Sequence, residues 1–277
     1  MRRFGAPLAW LSLWFALSAQ DVPRPAFQST DESNLYARLQ DERNPYRRLE
    51  ILKQWTASFP NSAFRQERFN ETIKTYRALN DGRSMLRTAT EMAAADPLGQ
   101  GNYWIALLTI SLHDASPAAL ERGRQAAQSV LQNAPESFAE AKRARSVSKE
   151  EWQQERSRQE MLAHRTLGWI ALQQRDYANA RMEFTKVLDQ TPDDAEVCYW
   201  LGTAFLASPD RDFAQMGLHE IAKALSIKGP RALLPDAASK VRRYFDAVYR
   251  QKNGSAQGEQ ALLRNARPAA ANNGMKQ

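Results

Sequence analysis

The sequence predicts an all-α fold, laid out as a solenoid of stacked helical hairpins, on three observations. Apolar residues recur at three and four residue spacing along most of the chain, the period of amphipathic helices. No window alternates convincingly with period two, and runs of β-branched residues are absent. The prolines that close the helical segments, Pro60, Pro97, Pro135, Pro192 and Pro230, follow one another at intervals near 37 residues with one longer gap. A period in that range marks a helical solenoid.

The chain has 277 residues, enough for one large core or an elongated array of smaller ones. It is 43% apolar and 25% charged, the composition of a folded protein. The formal charge is +7, but Asp and Glu are interleaved with Lys and Arg almost everywhere. That spreads the excess over a solvated surface and argues against a nucleic-acid stripe.

Taken in order, the first 19 residues read as a secretory signal peptide. Arg2 and Arg3 precede an uncharged apolar run from Ala6 to about Ala19, which ends in small residues. The run is short for a membrane span, which needs roughly 20 apolar residues. No stable span is expected after cleavage; an uncleaved N-terminal anchor is the alternative. Residues 20–33 read as an extended or disordered linker, and 34–250 as the helical body. Within it, Asn44-Pro45, Ser116-Pro117 and Ser208-Pro209 each put a capping residue before a proline suited to the first helical position. Ser148 and Glu151 form a capping-box pattern. Residues 136–160 break the register and read as a charged helical insert. Residues 236–250 are amphipathic, with Val241, Tyr244, Phe245 and Val248 on one side, and suit a capping helix. Residues 251–277 lack the apolar content for a core and are expected to be disordered.

Two segments, 161–192 and 195–230, carry a more specific pattern. In the first, Leu167 and Gly168 fall on one helix, Tyr177 just past a turn, and Ala180, Phe184 and Leu188 on the next, with Pro192 at the end. In the second, Leu201, Gly202 and Phe205 repeat the first-helix pattern, and Ala224 belongs to a matching second helix. This resembles the tetratricopeptide repeat, which runs Leu-Gly, Tyr, Ala, Phe and Pro at these offsets. His164 and Ala171 stand where that family often has Trp and Tyr, and the turn before the second helix of 195–230 is longer than usual. The resemblance covers about Asn34 to Arg250, clearly in two units and more weakly in three. It implies a right-handed superhelix whose first helices line a concave groove that holds peptides or partner helices.

Catalytic constellations are not evident. His113, His164 and His219 show no metal-ligand spacing, and there is no Cys-x-x-Cys pair. His164 occupies a packing position, and Cys198, its counterpart one repeat on, reads as a small core hydrophobe, with a redox role as the alternative. Adjacent acidic pairs such as Asp193-Asp194 point about 100° apart on a helix and fit helix-start electrostatics better than acid–base chemistry. No cofactor or metal is implied.

The register places Arg165, Trp169 and Leu172 in the implied groove, then Tyr199 and Thr203 in the next unit, with Asn70, Lys74 and Arg77 at similar offsets upstream. Arg beside Trp and Tyr is the composition of a binding hot spot. The competing reading is that Trp169 and Tyr199 simply pack against the neighbouring helix. The expected function is a non-enzymatic exported scaffold, periplasmic, binding a protein or peptide. The alternative is a structural component of an envelope complex held by its outer faces or tail.

Overall fold

The computed structural model describes residues 26–208 and 210–266. Among them the chain is entirely helical, with no strand: α1 (Thr30–Asp41), α2 (Pro45–Ser58), α3 (Arg65–Ala78), α4 (Gly82–Ala95), α5 (Gly101–Leu112), α6 (Pro117–Ser137), α7 (Lys149–Gln173), α8 (Tyr177–Gln190), α9 (Ala195–Leu206), α10 (Arg211–Ser226), α11 (Pro235–Asn253) and α12 (Glu259–Asn265). The predicted signal peptide, the start of the linker and residues 267–277 lie outside the described residues. No described helix is long and apolar enough to cross a membrane.

Helix starts follow local chemistry. The Asn44 side chain accepts from the amides of Tyr46 and Arg47 ahead of Pro45, and Ser116 caps α6 ahead of Pro117. Ser148 and Glu151 exchange side-chain-to-amide bonds of 2.9 and 3.1 Å, the reciprocal box expected for α7. The cap of α10 is Asp210, whose carboxylate accepts from Asp212 N, and not Ser208. One turn recurs. Asn80 and Arg175 each adopt a left-handed conformation (φ 56° and 61°) immediately before an N-capping aspartate, Asp81 or Asp176. The α3–α4 and α7–α8 hairpins are thereby closed by the same backbone device.

The chain divides into two compact units inside α7, between Ala163 and His164. In the first, α1 to α6 pack consecutively, each helix against its neighbours in sequence. Its cores centre on Leu39, Leu52 and Trp55, then on Ile73, Met92, Trp104 and Leu108. In the second, α8 to α11 pack consecutively and α12 folds back on α10.

Four sequence expectations are corrected. Pro135 lies inside α6, two residues before its end, and does not close it. The charged insert is not a separate helix: residues 138–148 form a loop with a short 3-10 turn, folded over Phe138, Ala144, Val147 and Trp152. Beyond it, α7 runs unbroken for 25 residues through the predicted boundary at 160. Trp152 anchors the loop by donating to the Phe138 carbonyl at 3.0 Å. The expected linker also packs at its end, where Phe27 stacks on Phe64 at 4.3 Å between ring centres. Finally, the expected disordered tail is ordered as far as Ala266. Leu262 and Leu263 reach the α10–α11 core, and Arg242 pairs with Glu259 at 2.7 Å. Local composition is poor there, but tertiary contact supplies the apolar partner that composition cannot reveal.

Candidate functional site

In the second unit the residues of the repeat pattern are unevenly buried. Ala180 and Phe184 are fully buried, Leu188 and Leu201 nearly so, while Leu167 and Tyr177 are half-buried and Pro192 is exposed. A Cβ on Gly168 would lie 2.6 Å from the Phe184 ring, so α7 and α8 meet closely only because that position is bare. At α9–α10 the approach is tighter. A Cβ on Gly202 would sit 2.8 Å from the Gly217 carbonyl oxygen, and Gly217 faces Gly202 in return. Sequence reading missed Gly217, which the longer preceding turn shifts out of the expected register. Phe205 and Ala224 are buried in the same hairpin.

The groove candidates of this unit are largely engaged within the protein. The Arg165 guanidinium donates to Asp194 at 2.8 Å, pairs with Glu196 and lies 5.1 Å over the Trp200 ring. Trp169 is only 4% exposed. Tyr199 is half-buried against the α10–α11 core, its ring edge-on to Tyr244 at 6.3 Å. Thr203 donates its hydroxyl to the Tyr199 carbonyl, and Leu172 is half-buried. The packing alternative therefore describes Trp169 and Tyr199, because each fills the apolar seam beside its own helix. His164 is satisfied as expected, with Nδ1 2.6 Å from Glu183, which also accepts from Lys186. Burial works against the Glu183 carboxylate, but the hydrogen bonds from His164 and Lys186 outweigh it and hold the group below the ordinary range. Cys198 is buried, and desolvation pushes its thiol up to about 12, which leaves no thiolate for redox chemistry near neutral pH.

The first unit is different. On α3, Lys74 and Arg77 are exposed and Asn70 is half-buried. Lys74 pairs with Glu71 at 2.6 Å. Beneath this row lies a network of charge that no sequence pattern announces. Glu71 also receives Arg48 of α2, whose guanidinium continues to the Leu39 carbonyl at 2.6 Å and the Glu42 carbonyl at 3.0 Å. Arg68 points the other way and donates to the carbonyls of Trp55, Phe59 and Pro60 at the end of α2. Glu32 of α1 is fully buried and accepts from Trp55 Nε1 at 2.8 Å. Burial acts to raise the Glu32 carboxyl, yet hydrogen bonds from Ser62, Trp55 and the Gln28 amide, with the charge of Arg68, bring it below its usual value. Beside α1, an open groove of about 600 Å³ is lined by Arg38, Glu42, Arg47, Glu50 and Lys53.

No family model, characterised protein or solved structure matches this chain. Its chemistry is therefore read from its own residues. Among the described residues, no three His, Cys, Asp or Glu side chains are grouped to hold a metal ion. What the first unit offers instead is a polar, partly exposed helix face fixed by buried ion pairs. No sequence pattern flagged Arg48, Arg68, Glu32 or Glu67; the Arg48–Glu71, Arg68–Trp55 and Glu32–Trp55 bonds span 13 to 23 residues and form only once the helices are packed.

Proposed function

We propose that this chain is a non-enzymatic exported scaffold, a tetratricopeptide-like solenoid that binds a protein or peptide partner. Export rests on the composition of residues 1–19, and the repeat assignment on the Leu-Gly, Ala and Phe pattern together with the shared α3–α4 and α7–α8 turn. One observation carries the location of binding. The α3 face presents Arg77 to solvent in line with Asn70 and with Lys74, which stays 45% exposed beside its Glu71 partner, whereas Arg165 is 26% exposed between two acids and Trp169 and Tyr199 are packed within the protein. Such a row suits directed hydrogen bonds to a carboxylate or to main-chain carbonyls of a bound segment.

A second reading, attachment to an envelope complex by the outer faces, is favoured by two exposed methionines. Met182 on α8 is 50% exposed and Met216 on α10 is 47% exposed, at matching places in successive hairpins. Flexible, polarisable Met side chains suit adaptable contact surfaces. A photo-crosslinker placed singly at Arg77, Met182 and Met216 in the full chain separates the readings in envelope extracts. Cross-links confined to position 77 are the expected result. Cross-links confined to 182 and 216 would replace the groove with the outer face, and none at any position would sink both.

A further inference from the structure

Among the described residues of the first unit, Glu67 is a buried carboxyl that the network leaves out. It is 6% exposed, and its Oε2 has no hydrogen-bond partner among the described residues. Every neighbouring cation is committed elsewhere. Arg48 of α2 is held by Glu71, Thr75 and two carbonyls, and Lys74 is held by Glu71. Arg68, next in sequence, is turned to the end of α2. One helical turn along α3 is the negative Glu71, which places Glu67 on the face that meets Arg48 of α2, and the neutral Tyr36 phenol of α1 is close enough to feel its charge. From the other side, α4 brings apolar Met85, Ala89 and Met92 to its contact with α3. A neutral carboxylic acid fits such a place; a carboxylate without a counter-ion does not.

We propose that Glu67 is a proton-operated latch, which lets the α1–α2 hairpin close on α3 when its carboxyl is protonated and loosens that contact when it ionises. Burial, then the charge of Glu71, push this carboxyl up to about 7 against a small opposing effect of Lys74. The direction follows from linkage. An opened hairpin returns Glu67 to a value near 4.5, so the closed form binds more protons between about 4.5 and about 7. Closure is strongest below that window, weakens as pH rises through it and levels off above it. Glu32 shifts the opposite way, to below its ordinary value, so its contribution is complete by about pH 5 and does not vary across the latch window. The latch acts on the hairpin that bears the Arg38 and Arg47 groove and on the helix that bears Lys74 and Arg77, whatever partner they meet.

Hydrogen–deuterium exchange of the full chain, corrected for intrinsic rates, tests this between pH 5.5 and pH 8.5. Amides of α1 and α2 should lose protection by a factor of about 10 to 30 over that range. Glu67→Gln, which copies the protonated form, should abolish the slope and keep the protection of low pH at pH 8.5. A carbon-detected NMR titration of the Glu67 carboxyl, which needs no variant, should give a midpoint near neutrality. A flat wild-type profile, a slope that survives in Glu67→Gln, or a carboxyl titrating near its ordinary value would each overturn the latch.

Discussion

Two seams of this molecule join helices of similar length by opposite means. At α2–α3 the contact is polar: Arg48 and Arg68 cross it in opposite directions and satisfy carbonyls and carboxylates on the far side. At α9–α10 the contact is bare backbone, with Gly202 against Gly217 and Ile221 locked behind them. Close backbone approach gains dispersion and excludes water with nothing polar to satisfy. The polar seam instead depends on partners being in place, the Glu71 carboxylate for Arg48 and three carbonyls for Arg68, and each group left without its partner would be costly.

The largest expected effect tests the polar seam. Arg68 is 4% exposed, and its guanidinium serves three carbonyls at once. Arg68→Ala should destabilise the first unit by about 3 kcal/mol, since buried acceptors lose their donors and Glu32 loses a compensating charge. Urea denaturation gives the figure, and exchange of α1–α3 amides locates it. Arg68→Lys should recover little, because a single ammonium cannot span acceptors on three residues. A mild loss in Arg68→Ala would mean that water replaces the arginine freely and the seam is not desolvated.

The apolar seam comes next. Gly202→Ala forces a methyl against the Gly217 carbonyl, a backbone atom that cannot rotate aside. The overpacking cost, partly offset by alanine's better helix propensity, should leave a net loss of about 2 kcal/mol. Gly168→Ala meets only the Phe184 ring, a side chain that can tilt, and should cost about 1 kcal/mol. Equal losses from the two variants would mean that α9 and α10 slide apart as easily as a ring turns.

The same contrast explains what was legible in the sequence. Small residues at fixed offsets from a Leu or Phe leave a pattern, so Gly168, Ala180, Phe184 and Gly202 were readable before any coordinate. Asn44, Ser116 and Ser148 were readable as caps, because capping is settled within three residues. The polar seam was not readable. Arg48 and Arg68 look like any surface arginine on an amphipathic helix, and only the packing of α2 on α3 makes them buried donors. The packing of Trp169 and Tyr199 within the protein was hidden for a related reason. Register says which way Trp169 points, but not whether a neighbouring element already covers it. At the tail, composition argued for disorder while Leu262 and Leu263 found a core made by residues between Leu206 and Tyr249.

Arg165 should give the smallest effect, and it sharpens the comparison from the other side. Where Arg48 pairs with one carboxylate, Glu71, Arg165 holds two acidic partners, Asp194 and Glu196, and it adds a cation–π contact with Trp200. Unlike Arg68 it keeps about a quarter of its side chain in water, and Glu196 is nearly half exposed. Solvent screens such a cluster, and Asp194 retains its capping bond to the Val197 amide whether or not the arginine is present. Arg165→Ala should therefore lower stability by less than about 1 kcal/mol, with the difference shrinking further in 1 M salt. A loss as large as that of Arg68→Ala, insensitive to salt, would show that charge is buried as deeply in the second unit as in the first. Polar and apolar seams would then no longer divide the molecule, and the latch at Glu67 would lose its claim to be the place where pH acts.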